Sequence, residues 1–236
     1  MPNPYFRFKQ FTIYHDRCAM KVGTDGVLLG AWCDVAGCCE VVDAGTGSGL
    51  IALMLAQRGG VNIAGVEIDG DAAAQAAGNV ALSPFAERVR IVHASFIDFA
   101  GSAECKYDKV VSNPPYFVDS LKPGDAARSL ARHTGGMDYR QLVDSSCRLL
   151  SGSGRLAVIL PYDQFDSFAR VAGEYHLSLC RKTVVYPKPG ASPTRVLMEW
   201  GKTPCPCAEN TLVIEVERHI YSDDFKRLTR DFYLDK

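Results

Sequence analysis

Nine residues constrain this chain more than any other stretch: Val41-Val42-Asp43-Ala44-Gly45-Thr46-Gly47-Ser48-Gly49. A short apolar run ends in an acid, and three glycines then alternate with small residues. Leu50 to Arg58 follows, with Leu50, Leu53, Met54 and Gln57 at helical spacing. This reads as a strand, a tight turn and a helix. Glycine lets such a turn take positive φ and lets a ligand approach the backbone with no Cβ in the way. The alternation continues downstream. Residues 61–68 read as a second buried strand and 71–83 as an alanine-rich helix. Residues 89–93 and 107–112 read as two more strands, 139–150 as an amphipathic helix, 155–160 as a fifth strand and 163–175 as a helix. Residues 179–186 and 195–200 read as a hairpin about a Pro/Gly loop. Residues 212–217 read as a strand, and 223–233 as a closing helix capped by Ser222. Upstream, 6–14 reads as a strand or small hairpin, and Thr24-Asp25 as the cap of a helix over 26–33. This pattern predicts an α/β fold, doubly wound around a mainly parallel seven-stranded sheet. Its one antiparallel strand comes from the C-terminal hairpin.

Composition adds bounds. The 236 residues are 47% hydrophobic and 22% charged, which supports one cored domain and argues against disorder. The net charge of −1 excludes a basic tail or an acidic segment as the working part, but leaves room for a local patch. Nine cysteines is an odd count. The segment Met1 to Gln10 carries Arg7 and Lys9 among aromatics and lacks the apolar run of a signal peptide. Leu50 to Ala56 is too short an apolar stretch to span a membrane. The expectation is a cytoplasmic protein with reduced thiols, no membrane contact and no obligate protein partner. Cys38-Cys39 and Cys205-Pro206-Cys207 lack zinc-knuckle spacing and a second ligand pair, so no metal is expected.

The turn also carries chemistry. A dinucleotide fingerprint spaces its glycines G-x-G-x-x-G and seats a pyrophosphate. Here the spacing is G-x-G-x-G, with Asp43 two residues ahead of Gly45. A carboxylate against pyrophosphate costs about 4 kcal/mol at ~4 Å in a partly screened site. The same carboxylate suits the ammonium of S-adenosyl-L-methionine (SAM), a ligand without phosphate. Asp43, Gly45, Gly47 and Gly49 are therefore expected to hold SAM. Glu67 closes the second strand, where an acid accepts both ribose hydroxyls of a bound adenosine. Ser95, at the turn after the third strand, is expected at the adenine, with Asp98 as a substitute. Ile68 and Phe96, next in the chain to Glu67 and Ser95, complete the cofactor site.

A second motif, Ser112-Asn113-Pro114-Pro115-Tyr116, ends the fourth strand. An aromatic amine is a poor nucleophile because its lone pair is delocalised into the ring. The Asn113 side-chain oxygen and the Pro114 carbonyl can each accept one of its N–H bonds, which favours a pyramidal nitrogen. Pro114-Pro115 fixes the backbone so that these acceptors are preorganised. Tyr116 offers a face on which a splayed-out base stacks, worth ~1–3 kcal/mol. Asn113 thus belongs to both the catalytic and the cofactor set.

Together these two motifs resemble the amino-methylating branch of the class I SAM-dependent methyltransferases, with their Rossmann-like fold. Phe8-Lys9-Gln10-Phe11, the stretch His15 to Trp32 and the ending Leu228 to Leu234 closely resemble the bacterial tRNA(Val) (adenine-N(6))-methyltransferase family. The resemblance runs nearly end to end. It implies transfer of a methyl group from SAM, leaving S-adenosyl-L-homocysteine, to the exocyclic amine of an adenine in tRNA, the purine 3′ of the anticodon. It also implies that Lys21, Thr24 and Asp25 line the methionine end of the cofactor. The organisation implied is one domain over 1–236, with 1–39 gripping the cofactor and 40–236 as the catalytic core. The family often has Asp where this chain has Ser95. A protein glutamine N-methyltransferase or an rRNA amine methyltransferase is the alternative enzyme, and a non-catalytic RNA-binding protein the alternative class. The 42 residues ahead of Asp43 disfavour the large helical domain usual in the glutamine enzymes. For RNA, two basic stretches stand out: Lys122, Arg128 and Arg132 after Tyr116, and Lys188 and Arg195 in the C-terminal hairpin, where Arg181 to Lys202 holds five cations and one acid.

Overall fold

The computed structural model describes residues 3–59, 61–114 and 137–234. Near the N-terminus, β1 (Tyr5–Arg7) and β2 (Thr12–Tyr14) pair as an antiparallel ribbon, and helix α1 (Thr24–Trp32) follows. Next come β3 (Glu40–Ala44), α2 (Leu50–Arg58), β4 (Asn62–Glu67), α3 (Gly70–Ala81), β5 (Val89–His93), α4 (Phe96–Ser102) and β6 (Tyr107–Ser112). The second half runs α5 (Tyr139–Leu149), β7 (Leu150–Pro161), α6 (Phe165–Glu174), β8 (Ser178–Tyr186), β9 (Arg195–Gly201) and β10 (Ala208–Val213). A small ribbon, β11 (Glu215–Glu217) with β12 (Ile220–Tyr221), and helix α7 (Asp223–Thr229) close the chain.

The central sheet has the order β10-β8-β9-β7-β6-β3-β4-β5. β9 runs antiparallel to both its neighbours, while the other pairings are parallel, so the hairpin supplies the one reversed strand as expected. Among the described residues the central sheet has eight strands, where the sequence pattern predicts seven. The extra strand, β10, adds to the β8 edge at 208–213, upstream of much of the predicted 212–217 strand. Its first four residues are exposed and only Leu212 is buried, so it carries no apolar period. Backbone pairing to the edge of β8, not side-chain burial, makes it a strand.

Apolar side chains fill both faces of the sheet. One layer gathers Leu28 and Leu29 of α1, Leu53 and Met54 of α2, Phe225 of α7 and the ribbon residue Ile13. The other gathers Phe99 of α4, Leu142 and Val143 of α5 and Phe168 of α6. Strand β3 is buried from Val41 to Ala44, the double-sided burial of a central parallel strand. Helices α1 and α2 meet closely at Gly26 and Gly30. A Cβ added there would stand 2.9 Å from Leu50 Cδ2 and 2.7 Å from Met54 Sδ. This contact brings the start of α1 beside the glycine turn. The α1 cap differs from the expected one: Gly23 is the N-cap, and Thr24 and Asp25 lie inside the first turn. The backbone is already helical at Thr24, and the Asp25 carboxylate pairs with Arg195 at 2.9 Å.

Candidate active site

Strand order reverses at β3. The chain winds to β4 and β5 on one side, then crosses to β6 and β7 on the other. The crevice at such a switch point, outside the carboxyl ends of the strands, is where open α/β sheets bind ligands. Both sequence motifs end there. Register places Asp43 opposite Val111, so the glycine turn and Asn113 leave adjacent strands side by side. Ser112 Oγ donates to the Ala44 carbonyl at 2.8 Å and ties the two strand ends together. Asn113 is half-buried and Pro114 buried. Pro115, Tyr116, Lys122, Arg128 and Arg132 lie outside the described residues.

Gly45, Gly47 and Gly49 all have positive φ, at 73°, 54° and 83°, a conformation that side chains disfavour. A Cβ at Gly45 or Gly47 would meet nothing within 4 Å, so the space over the turn is open. Asp43 lies beneath it, wholly buried. Its Oδ2 accepts from Thr46 Oγ1 at 2.6 Å and from the Ala52 amide at 3.1 Å, which holds the turn against the start of α2. Its Oδ1 is buried with no hydrogen-bond partner. Burial pushes the carboxyl up to about 7; the bonds from Thr46 and Ala52 oppose that rise, and the nearby Glu67 charge adds to it. Glu67, at the end of β4, accepts from the Gly47 amide at 2.8 Å and the Asp69 amide at 2.9 Å. Ile68 beside it is 52% exposed, a bare apolar side chain at the crevice.

Beyond β5, Ser95 caps α4. Its hydroxyl accepts from the Asp98 amide at 3.1 Å and donates to Asp98 Oδ2 at 2.6 Å. The Ser95 proton is therefore held by Asp98, and the pair presents carboxylate oxygen at the strand end. Phe96 is buried among the α4 and α5 side chains. An open glycine cradle, an orphaned carboxylate oxygen below it and an acid at the next strand end fit a SAM-sized ligand with an ammonium and a ribose.

The N-terminal segment reaches this crevice through two amides that the sequence analysis did not single out. Asn79 of α3 accepts from the Tyr14 amide at 3.0 Å and donates to the Tyr14 carbonyl at 2.8 Å and the Ser48 carbonyl at 2.9 Å. Gln75, one turn earlier, accepts from the Arg17 amide and donates to Asp16 at 2.7 Å. Two buried amides four residues apart on an alanine-rich helix were the available signal. They hold 14–18 alongside the glycine turn. Cys18 there feels the Glu67 and Asp69 charges, which add to burial in pushing its thiol up to about 11. Lys21 and Thr24 are exposed and Asp25 half-buried.

The basic hairpin is less basic than its sequence. Arg181 pairs with Glu199 at 3.1 Å and lies 3.6 Å over the Trp32 ring. Lys182 pairs with Glu209 at 2.8 Å, Lys202 donates to the Leu150 carbonyl, and Arg195 holds Asp25. Lys188 is exposed at the tip. All nine cysteines are free thiols. Among the described residues, no helix is long and apolar enough to cross a membrane, and no three metal-ligating side chains gather.

A glycine cradle at the switch point, an acid on the next strand and Asn-Pro on the neighbouring one define a class I SAM-dependent methyltransferase. The family model for the "Methyltransferase small domain" matches residues 28–161. A crystal structure of a predicted O-methyltransferase, protein Atu636 from Agrobacterium tumefaciens, superposes with a TM-score of 0.68 over 88% of this chain and 96% of that one, at 19% identity, which speaks to fold. A tRNA1(Val) (adenine(37)-N6)-methyltransferase from Phocaeicola vulgatus is 50% identical over 99% of both chains. One of the same name from Parabacteroides distasonis is 48% identical over 99% of both. The chain belongs to the tRNA1(Val) (adenine(37)-N6)-methyltransferase family.

Proposed function

We propose that this protein methylates the exocyclic amine of an adenine in tRNA, at the purine 3′ of the anticodon of a valine tRNA, using SAM. The observation that carries the reading is the side-by-side placement of Asn113-Pro114 and the glycine turn, tied by the Ser112–Ala44 bond. The names of relatives at 48–50% identity support the choice of substrate. When bound, SAM supplies an electrophilic methyl group and leaves as S-adenosyl-L-homocysteine. Asp43 faces the ammonium, Glu67 the ribose, and the Ile68 side chain and the backbone at Phe96, whose ring is buried in the core, flank the adenosine. Ser95 and Asp98 accept from the adenine amine. Lys21, Thr24 and Asp25 close over the methionine end, with Gly45, Gly47 and Gly49 below.

The Asn113 side-chain oxygen and the Pro114 carbonyl accept the two N–H bonds of the target amine and turn its lone pair toward the cofactor. No strong base is required before attack, because the methylated amine is acidic and sheds its proton afterwards. Lys188 contacts RNA phosphate, and Arg195 adds its charge from within its pair with Asp25. The reading takes the chain as one catalytic domain working in the cytoplasm, with 1–39 as the cofactor grip.

The test is methyl transfer from labelled SAM to total tRNA, DNA and release factor in parallel. Label is expected in tRNA alone, as N6-methyladenosine at one position. Label in release factor instead would overturn the substrate assignment.

A further inference from the structure

A second cleft opens on the same rim of the sheet, on the β9 side, and shares Thr24 and Asp25 of α1 with the proposed cofactor grip. It has a volume of about 350 Å³, within the ~300–1,000 Å³ range of small-ligand pockets. Its walls are Asp25 of α1, Arg195 at the start of β9, Glu215 of β11, Tyr221 of β12, Phe225 of α7 and Tyr233. Arg195 faces Pro161 at the end of β7, and β7 borders β6. The cleft therefore stands two strands along from Asn113, on the order of 10 Å at ~4.8 Å per strand. The cofactor turn and Glu67 lie on the other side of Asn113.

The chemistry of the walls restricts the occupant. The rings of Tyr221 and Phe225 are 4.7 Å apart, and Tyr233 lies 6.3 Å from Phe225. Tyr221 is 36% exposed, so a ring is presented to an incoming group. Burial pushes the Tyr233 hydroxyl up to about 12, so it remains a protonated donor at working pH. Among the described residues, two carboxylates face one guanidinium, which opposes a bare anion, and Arg195 opposes a bare cation. A neutral, flat group with donors and acceptors on its edge meets neither penalty. Unstacked bases of single-stranded RNA are recognised in this way, by stacking on aromatics and bonding along their edges.

We infer that this cleft binds the nucleobase next to the methylated adenine, stacked on Tyr221 with its edge toward Glu215 and the Asp25–Arg195 pair. The inference rests on the RNA reading above and adds a specificity pocket to it. It gives the Asp25–Arg195 pair a double duty, since Asp25 also belongs to the cofactor grip.

The experiment uses the full chain and an anticodon stem–loop RNA, intact or with an abasic residue on either side of the target. In the wild type, an abasic residue at one neighbour should raise KM roughly tenfold, the cost of one lost stack. Tyr221→Ala should raise KM on intact RNA by a similar factor and show no further loss with that abasic RNA. Tyr221→Phe should restore the wild-type KM, and kcat and S-adenosyl-L-homocysteine affinity should stay at wild-type values in both variants. Glu215→Gln should change the preference among bases at that neighbour. Wild-type transfer to intact RNA with additive losses in Tyr221→Ala and the abasic RNAs would overturn the pocket and leave the methyltransferase reading standing. Failure of the wild type to methylate any RNA would overturn both.

Discussion

Replacing Asp43 by Asn should stabilise the ligand-free protein above neutral pH while weakening its hold on the cofactor. The carboxyl is wholly buried, and burial lifts it from an ordinary value of 3.8 to about 7. The folded state therefore keeps a proton that the unfolded chain has lost between these values. Stability from this group is fully present below about 4 and is lost as pH rises through about 7. The whole loss is about 4 kcal/mol at ~1.4 kcal/mol per pH unit. Asn matches the protonated carboxyl in shape, and its oxygen can still accept from Thr46 and Ala52. Asp43→Asn should then melt like the wild type only below about pH 4, hold firmer by about 1–2 kcal/mol at pH 5, and by several kcal/mol at pH 8. Cofactor binding runs the other way. At effective dielectric ~20, a carboxylate ~4 Å from an ammonium gains about 4 kcal/mol, an upper limit near three decades in affinity. Calorimetric titration with S-adenosyl-L-homocysteine, which keeps the ammonium and lacks the sulfonium, should show wild-type affinity rising with pH up to about 7. Asp43→Asn should bind roughly 10²–10³-fold more weakly at pH 8 and lose that pH dependence. Unchanged affinity in the variant would refute the ammonium assignment. An unchanged pH slope of stability would refute the buried proton.

Three further outcomes follow from the same geometry. Asn113→Ala should cut kcat by about 10²–10³-fold, the usual cost of one preorganised polar group, with S-adenosyl-L-homocysteine affinity kept; single-turnover methyl transfer measures this. Asn79→Leu breaks three bonds to Tyr14 and Ser48 and should cost about 3 kcal/mol at ~1 kcal/mol each, read by urea unfolding, with weaker cofactor binding because the 14–18 segment loses its tether. Lys188→Gln should lower the salt slope of tRNA binding by about one without touching cofactor affinity, as filter binding across salt concentrations would show.

Much of the fold could be read from local sequence. The alternation of β3, α2, β4, α3, β5 and β6 follows the apolar period, because double-sided burial writes itself into consecutive residues. The hairpin of β8 and β9 and the reversed strand were legible from the Pro/Gly loop between two apolar runs. β10 was not, since its stabilisation comes from backbone pairing on an edge and leaves almost no trace in side-chain type. The α1 cap was misplaced because the chain turns helical already at Thr24, so Gly23 takes the cap and the Asp25 carboxylate goes to a guanidinium 170 residues away.

The candidate site divides in the same way. Asp43, the three glycines, Glu67 and Asn113 announce themselves because strand ends bring their chemistry to fixed places in the chain. Gln75 and Asn79 looked like polar residues in an alanine-rich helix until the N-terminal segment was laid across them. The five hairpin cations read as a patch, yet four of them are engaged by Glu199, Glu209, Asp25 or a backbone carbonyl. The glycine turn thus carries by itself the expectation of an ammonium-bearing ligand without phosphate, because one short segment holds both the backbone freedom and the charge. Tertiary structure alone decided which charges remain on the surface and how the 14–18 segment lies across α3 beside the turn. Ion pairs and amide clamps join residues far apart in sequence, and no local period records them.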